Sequence, residues 1–155
     1  MARFQHMLRL AIPGFGGFLA IWLAFGIGEA TRLTLVMAPF GATCVLAFAL
    51  PDSPLAQPRN IVGGHVLSTL IGLCVQTAAG THAWSMALAV GLAIWIMQLT
   101  KTVHPPAGAD PLVVMVSGAD WSFLFSPVLL GSALIVLIAW GYHRLSKARY
   151  PKQWR

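Results

Sequence analysis

HPPAGADPLVVMV, residues 104–116, is an apolar run too short to cross a bilayer, and it opens on two consecutive prolines, Pro105 and Pro106. A membrane-spanning helix needs about 20 residues at roughly 1.5 Å each. Working outward, the chain holds six apolar segments, over 10–28, 33–50, 61–80, 83–100, 105–117 and 123–143. The first, third, fourth and sixth reach spanning length. The second is interrupted by Pro39 and Gly41. Broken backbone at membrane depth frees N–H and C=O groups that lipid cannot satisfy, so such segments must face protein or a water-filled cavity. The second and fifth segments therefore belong at the centre of a bundle.

Composition supports a membrane bundle. The 155 residues are 57% apolar and only 9% charged, whereas a soluble domain carries about 25% charged residues. The expected fold is all-α: a polytopic transmembrane bundle in a single domain, 1–155. The net charge of +6 does not point to nucleic acid. Five of the ten basic residues crowd the C-terminus (Arg144, Lys147, Arg149, Lys152, Arg155), and Arg3 and Arg9 precede the first apolar run. Basic residues flanking spans are an orientation signal. Cys44 and Cys74 lie in apolar runs and are expected as small buried hydrophobes. Gly64, Ser68 and Gly72 recur four apart, a spacing that lets helices approach closely.

An ordered repeat connects the two broken segments. PFGATCVLAF (39–48) and PAGADPLVVM (106–115) both read Pro-x-Gly-Ala, then Thr or Asp, then an apolar run. Pro58 and Pro127 follow, then Gly63 and Gly131, and GFLAIW at 17–22 resembles GLAIW at 91–95. Two halves result, 10–80 and 83–143, each of three segments. An odd number of crossings turns the second half upside down, the inverted-repeat plan of many transporters.

Chemistry concentrates at the breaks. In each half the motif predicts a half-helix start, with Pro39 or Pro106 suited to the first turn. Gly41, Ala42 and Thr43 in one copy, and Gly108, Ala109 and Asp110 in the other, would expose N–H groups to an anion near the midplane. His104, directly before Pro105, and His65, in GGH at 63–65, are either packed hydrogen-bonded groups or pathway groups. Asp110 is expected to be protonated by burial, paired with Lys101 or His104, or a sign of a cation. Arg59 and Asn60 would line a mouth or anchor the topology. His65, His104 and Asp110 lack ligand spacing within any one helix, so no metal or cofactor is expected. No Gly-x-Ser-x-Gly, HExxH or GxGxxG motif is present, and an enzyme is not expected.

HPPAGA at 104–109, PFGAT at 39–43 and SPLAQPRNIVGGH at 53–65 resemble the signatures of the HPP family of integral membrane proteins, and the resemblance covers nearly the whole chain. It implies at least four transmembrane helices. Some members, in cyanobacteria and plastids, are implicated in nitrite transport. It carries over His104, Pro105 and Pro106 from the hallmark, and His65, Arg59 and Asn60 from the second motif. Asp110 departs from the neutral polar residue that the family pattern would place after HPPAGA. The resemblance implies a transporter or channel for a small inorganic anion, nitrite first, in a bacterial inner membrane. A non-transporting scaffold or subunit of a larger complex is the alternative. So small a bundle is expected to form a homo-oligomer in the bilayer.

If all six segments cross, one side holds Arg3, Arg9, Arg59, Lys101 and the five C-terminal basic residues, and the other holds only Arg32: nine against one. Four full spans with two re-entrant segments would also put both termini on one side, and charge does not separate the two arrangements; in either, both termini should be cytoplasmic. Labelling of single cysteines placed at each terminus, with a membrane-impermeant reagent, checks this; labelling of either from outside the cell removes the topology.

Overall fold

The computed structural model describes residues 2–152, with the side chains at 2, 4, 8 and 9 excepted. Six helices carry the bundle: α1 (Ala2–Thr31), α2 (Pro39–Cys44), α3 (Pro58–Ala79), α4 (Ala83–Thr100), α5 (Asp110–Ser117) and α6 (Leu130–Leu145). Among the described residues there is no strand. Four stretches are long and apolar enough to cross a membrane: Gln5–Thr31, Pro58–Ala79, Ala83–Thr100 and Trp121–Leu145. The first helix starts at Ala2 rather than at residue 10, and Pro13 lies inside it.

The two central segments run the length of the bundle in opposite directions. Each enters as irregular chain, outside helix and strand, and then coils. Residues 33–38 lead into α2, which continues as a π turn over Val45–Ala49. Residues 102–104 lead into a 3-10 turn, Pro105–Ala109, and then α5. At one end of the bundle Arg59 and Asn60 bond to the carbonyls of Thr100 (2.6 Å) and Val103 (2.8 Å). At the other, Gln76 and Thr81 bond to those of Ala119 (2.9 Å) and Met115 (3.1 Å). The second break falls directly before its proline, whereas the first lies upstream over 33–37, since Ala38 before Pro39 is already helical (φ −52°, ψ −43°). His104 is extended (φ −138°, ψ 101°) because the ring of the next residue, Pro105, clashes with a helical predecessor.

Several local constructions occur twice. α1 and α4 are each followed by a basic residue in the left-handed region, Arg32 (φ 60°) and Lys101 (φ 57°). The central segments each lead to a side-chain-capped 3-10 turn. Ser53 accepts from the N–H of Leu55 at 3.2 Å, and Asp120 accepts from that of Ser122 at 2.8 Å. A proline follows in both, Pro58 opening α3 and Pro127 in the π turn before α6.

Helices in lipid gain little from apolar contact as such, so close packing and hydrogen bonds must hold them. The small-residue face of α3 supplies both, as its spacing suggests. A Cβ on Gly64 would lie 2.8 Å from that of His104, and one on Gly72 would lie 2.8 Å from the Cα of Pro111. Between them, the Ser68 hydroxyl donates to the Ala107 carbonyl at 2.6 Å. The second broken segment thus lies directly on α3. The first is held from the other side: Gly131 of α6 lies against Phe40 and the Leu35 carbonyl, and Gly16 of α1 against Phe48.

Two expectations are corrected. Cys44 is buried, but Cys74 is exposed on α3. The sequence places Trp84 and Trp121 at the outer membrane interface and Tyr150 and Trp154 at the inner one; Trp84 and Trp121 are exposed, whereas Tyr150 is not. It is buried, with its hydroxyl donating to the Ala56 carbonyl at 3.0 Å. The chain after α6 turns back over the 51–57 loop, where the Lys152 N–H donates to Gln57 at 2.8 Å. The exposed Lys152–Asp52 pair beside it adds little. Trp154 and Arg155 lie outside the described residues.

Replacing Gly72 with Ala forces a methyl onto Pro111, and overpacking of this kind costs about 1–3 kcal/mol. Gly14→Ala, inside α1, meets nothing within 4 Å and should raise stability by about 0.5–1 kcal/mol. Unfolding of the detergent-solubilised variants compares the two; equal stability would remove the role assigned to the α3 face.

Candidate functional site: a buried cluster between the broken segments

Pro39 opens α2, and four residues on, Thr43 points inward and is fully buried. Its hydroxyl lies 2.8 Å from Nε2 of His65 on α3 and 3.0 Å from Nε2 of His104 on the second broken segment. A single threonine therefore joins two histidines from different elements. His65 continues the line: its Nδ1 lies 2.7 Å from Oδ2 of Asp110, the first residue of α5. His104 closes the other end, with Nδ1 2.8 Å from the carbonyl of Leu55. All four side chains are 0% exposed.

Neighbours orient the cluster. Thr69, one helical turn after His65, donates to Asp110 Oδ2 at 3.3 Å. Phe40 meets the His65 ring edge-on, centroids 5.1 Å apart, and the two imidazoles are 5.0 Å apart at 69°. Asp110 sits at the N-terminal end of α5, where the helix dipole favours negative charge. Its Oδ1 is buried without a hydrogen-bond partner among the described residues, which costs about 1–3 kcal/mol and more for a charged group. A carbonyl carries no proton, so His104 Nδ1 donates to Leu55. The Thr43 hydroxyl has one hydrogen for two imidazole nitrogens, so at least one imidazole donates to it.

The candidate residues read from the motifs divide in two. Thr43, His65, His104 and Asp110 come together, and Pro39 and Pro106 are buried beside them. Gly41, Ala42, Pro105 and Ala109 are exposed and Gly108 is half-buried. Two of the N–H groups expected to face an anion, those of Gly41 and Asp110, donate within the chain, to the carbonyls of Ala38 and Ala107. Ala38 is helical, and the N–H groups of Phe40 and Gly41 donate to the carbonyls of Met37 and Ala38. The N–H of Ala107 donates to the His104 carbonyl. The prolines start tight turns that engage the N–H groups of Phe40, Gly41, Ala107 and Asp110. Asp110 pairs with His65, not with Lys101 or His104. Arg59 and Asn60 hold the 100–103 connection.

Thr69 and the Leu55 carbonyl were not singled out from sequence. Thr69 had a signal, the four-residue spacing from His65 on one helix face; a backbone carbonyl from a loop had none. Among the described residues no three His, Cys, Asp or Glu side chains converge as metal ligands. A groove of about 560 Å³ lies elsewhere, between α1 and α2, lined by apolar residues including Phe18, Trp22 and Val45. It touches none of the four cluster residues.

Comparison with known proteins agrees with this architecture. The chain is similar to two transmembrane proteins of Dictyostelium discoideum. It is 36% identical to one over 132 residues, covering 79% of this chain and 46% of that protein. It is 40% identical to the other over 128 residues, covering 77% of this chain and 41% of that protein. The chain thus spans less than half the length of these relatives. No solved structure matches it. Residues 2–151 match the HPP transmembrane region, and the chain, an integral membrane protein of long apolar helices around two broken ones, belongs to the HPP family.

Proposed function

We propose that the chain transports a small inorganic anion, nitrite first, along a path between the two broken segments, with Thr43, His65, His104 and Asp110 at its centre. The observation that carries this is the cluster itself. Two antiparallel broken segments meet at four buried polar side chains, and intramembrane ionisable groups mark transport pathways. A scaffold gains nothing from a buried carboxyl group with an unpartnered oxygen, since apolar packing would hold the same helices without that penalty.

The paired left-handed turns, capped 3-10 turns and Pro-x-Gly-Ala motifs support two halves, 10–80 and 83–143, related by an axis in the membrane plane. Rocking of one half against the other would open the closed cluster to each side in turn. The basic end, with both termini, is the cytoplasmic one in this scheme, and the assembly is a homo-oligomer in a bacterial inner membrane. Because the N–H groups of Gly41 and Asp110 are engaged, the anion is expected to meet side-chain donors, chiefly the imidazoles.

Purified protein in proteoliposomes should take up nitrite well above protein-free vesicles. Loss of a buried hydrogen-bond partner costs about 1–3 kcal/mol, so His104→Ala should slow uptake roughly ten- to a hundredfold while remaining inserted and helical. Thr43→Asp, which adds a second carboxyl beside the imidazoles, should abolish it. Correctly inserted wild-type protein that passes neither nitrite nor nitrate, formate or chloride would establish the scaffold alternative instead.

A further inference from the structure

We propose that Asp110, His65, Thr43 and His104 form a proton relay that holds one mobile proton and passes it between the Asp110 carboxyl and the His104 imidazole. The inference rests on the transport reading for its purpose but not for its chemistry. The contacts form one line: Asp110 Oδ2 to His65 Nδ1 (2.7 Å), His65 Nε2 to Thr43 Oγ1 (2.8 Å), Thr43 Oγ1 to His104 Nε2 (3.0 Å), and His104 Nδ1 to the Leu55 carbonyl (2.8 Å), with two longer side contacts of 3.3 Å, Thr43 Oγ1 to the Pro39 carbonyl and Thr69 Oγ1 to Asp110 Oδ2.

Donor counting allows two end states that satisfy every link. In the first, the Asp110 carboxyl is protonated and donates to His65 Nδ1. His65 Nε2–H donates to Thr43, the Thr43 hydroxyl donates to His104 Nε2, and His104 Nδ1–H donates to Leu55. Now each of the first three protons moves one link along. The O–H of Asp110 breaks as Nδ1–H of His65 forms, and the Nε2–H of His65 breaks as a new Thr43 O–H forms. The old Thr43 O–H breaks as Nε2–H of His104 forms. Each electron pair stays with the atom the proton leaves. The result is an Asp110 carboxylate, a neutral His65 of the opposite tautomer, and a His104 imidazolium. No proton has been gained or lost, and the cluster is neutral overall in both states. In effect a proton has moved from the helix start of the second broken segment to the chain entering it, leaving a separated ion pair, the Asp110 carboxylate and the His104 imidazolium.

The surroundings keep the proton within the line. The Leu55 carbonyl cannot accept a fourth transfer, so His104 is a terminus while the 51–57 loop stays in place. Tyr150 and the Lys152 N–H hold that loop through Ala56 and Gln57. Other titratable or charged groups on the packed elements are Cys44 on α2, Arg59 and Cys74 on α3, Lys101 after α4, and His143 and Arg144 on α6. Arg59 bonds to Thr100 and His143 to the Ala47 carbonyl at 2.8 Å, and Asp52 of the loop pairs with Lys152. The relay is therefore a closed store, emptied or filled only when the loop or the Asp110 end opens. A proton taken up there travels with the anion as a neutral pair.

Solid-state NMR of histidine-15N-labelled protein in lipid vesicles reads the line without any substrate. Asp110→Asn should shift the His104 Nε2 resonance. In a Thr43→Val background the same change should leave it unmoved, and Thr43→Ser should restore the response. A His104 resonance indifferent to Asp110→Asn, or a response that survives Thr43→Val, overturns the relay. Should Thr43→Val not fold, infrared spectroscopy of the unmutated threonine decides. Asp110, identified by the band lost in Asp110→Asn, should give the carbonyl stretch of an un-ionised acid. A carboxylate with a fixed His65 imidazolium over about pH 5 to 8 overturns the proposal. Nitrite flux without the coupled response removes the relay and keeps transport; the response without flux keeps the relay and removes nitrite.

Discussion

Lipid offers no hydrogen bond to a broken helix, and the arrangement of this bundle follows from that constraint. Two of its six segments run outside helix and strand for several residues before they coil, and every polar group released there has to be met by protein. The answer differs along the chain. Tight turns at Phe40, Gly41 and Ala107 absorb the first N–H groups locally. Side chains of α3 absorb the carbonyls: Asn60 takes Val103, and Ser68 takes Ala107. α3 does this only because Gly64 and Gly72 let the broken segment lie against its backbone.

The same closeness makes the polar cluster possible. With Gly64 under His104, the imidazole reaches past α3 to Thr43 on the other broken segment. Thr43 is the one place where the two breaks are joined by side chains, and it joins them through hydrogen bonds that work in either direction. In a dry interior such bonds are strong, and an unmade one is costly. The Asp110–His65 pair keeps the carboxyl from being an isolated buried charge, which would be prohibitive, and Thr69 adds a further donor. Asp110 is thus accommodated by His65 across the α3 face.

The fold was legible to the extent that it depends on composition and length. Too few charges to coat a soluble domain, four apolar stretches of spanning length and two shorter runs with prolines already require a helical membrane bundle with its breaks inside. The small-residue spacing of α3 was equally readable, because close approach has a one-dimensional signature. The ends were less so. Nothing in the residues before Leu10 marks a helix beginning at Ala2, and Tyr150 reads as an interfacial aromatic until the chain is seen to turn back over the 51–57 loop.

Which groups meet at the centre is another matter. His65, His104, Thr43 and Asp110 could all be named from their place beside prolines and glycines, since rare polar residues in an apolar chain stand out. Their pairing could not. Asp110 lies six residues from His104 in sequence but bonds to His65 on another helix, and the Leu55 carbonyl that fixes the His104 tautomer belongs to a loop with no distinguishing side chain. Pro-x-Gly-Ala predicted open helix starts, yet the N–H groups of Gly41 and Asp110 donate within the chain. Sequence by itself determined that this protein spans a membrane, where its helices break and which side chains are out of place in lipid. Only the tertiary structure decided which of them touch, because hydrogen-bond partners in a bundle are set by how helices pack across space, and that packing joins residues the chain order keeps apart.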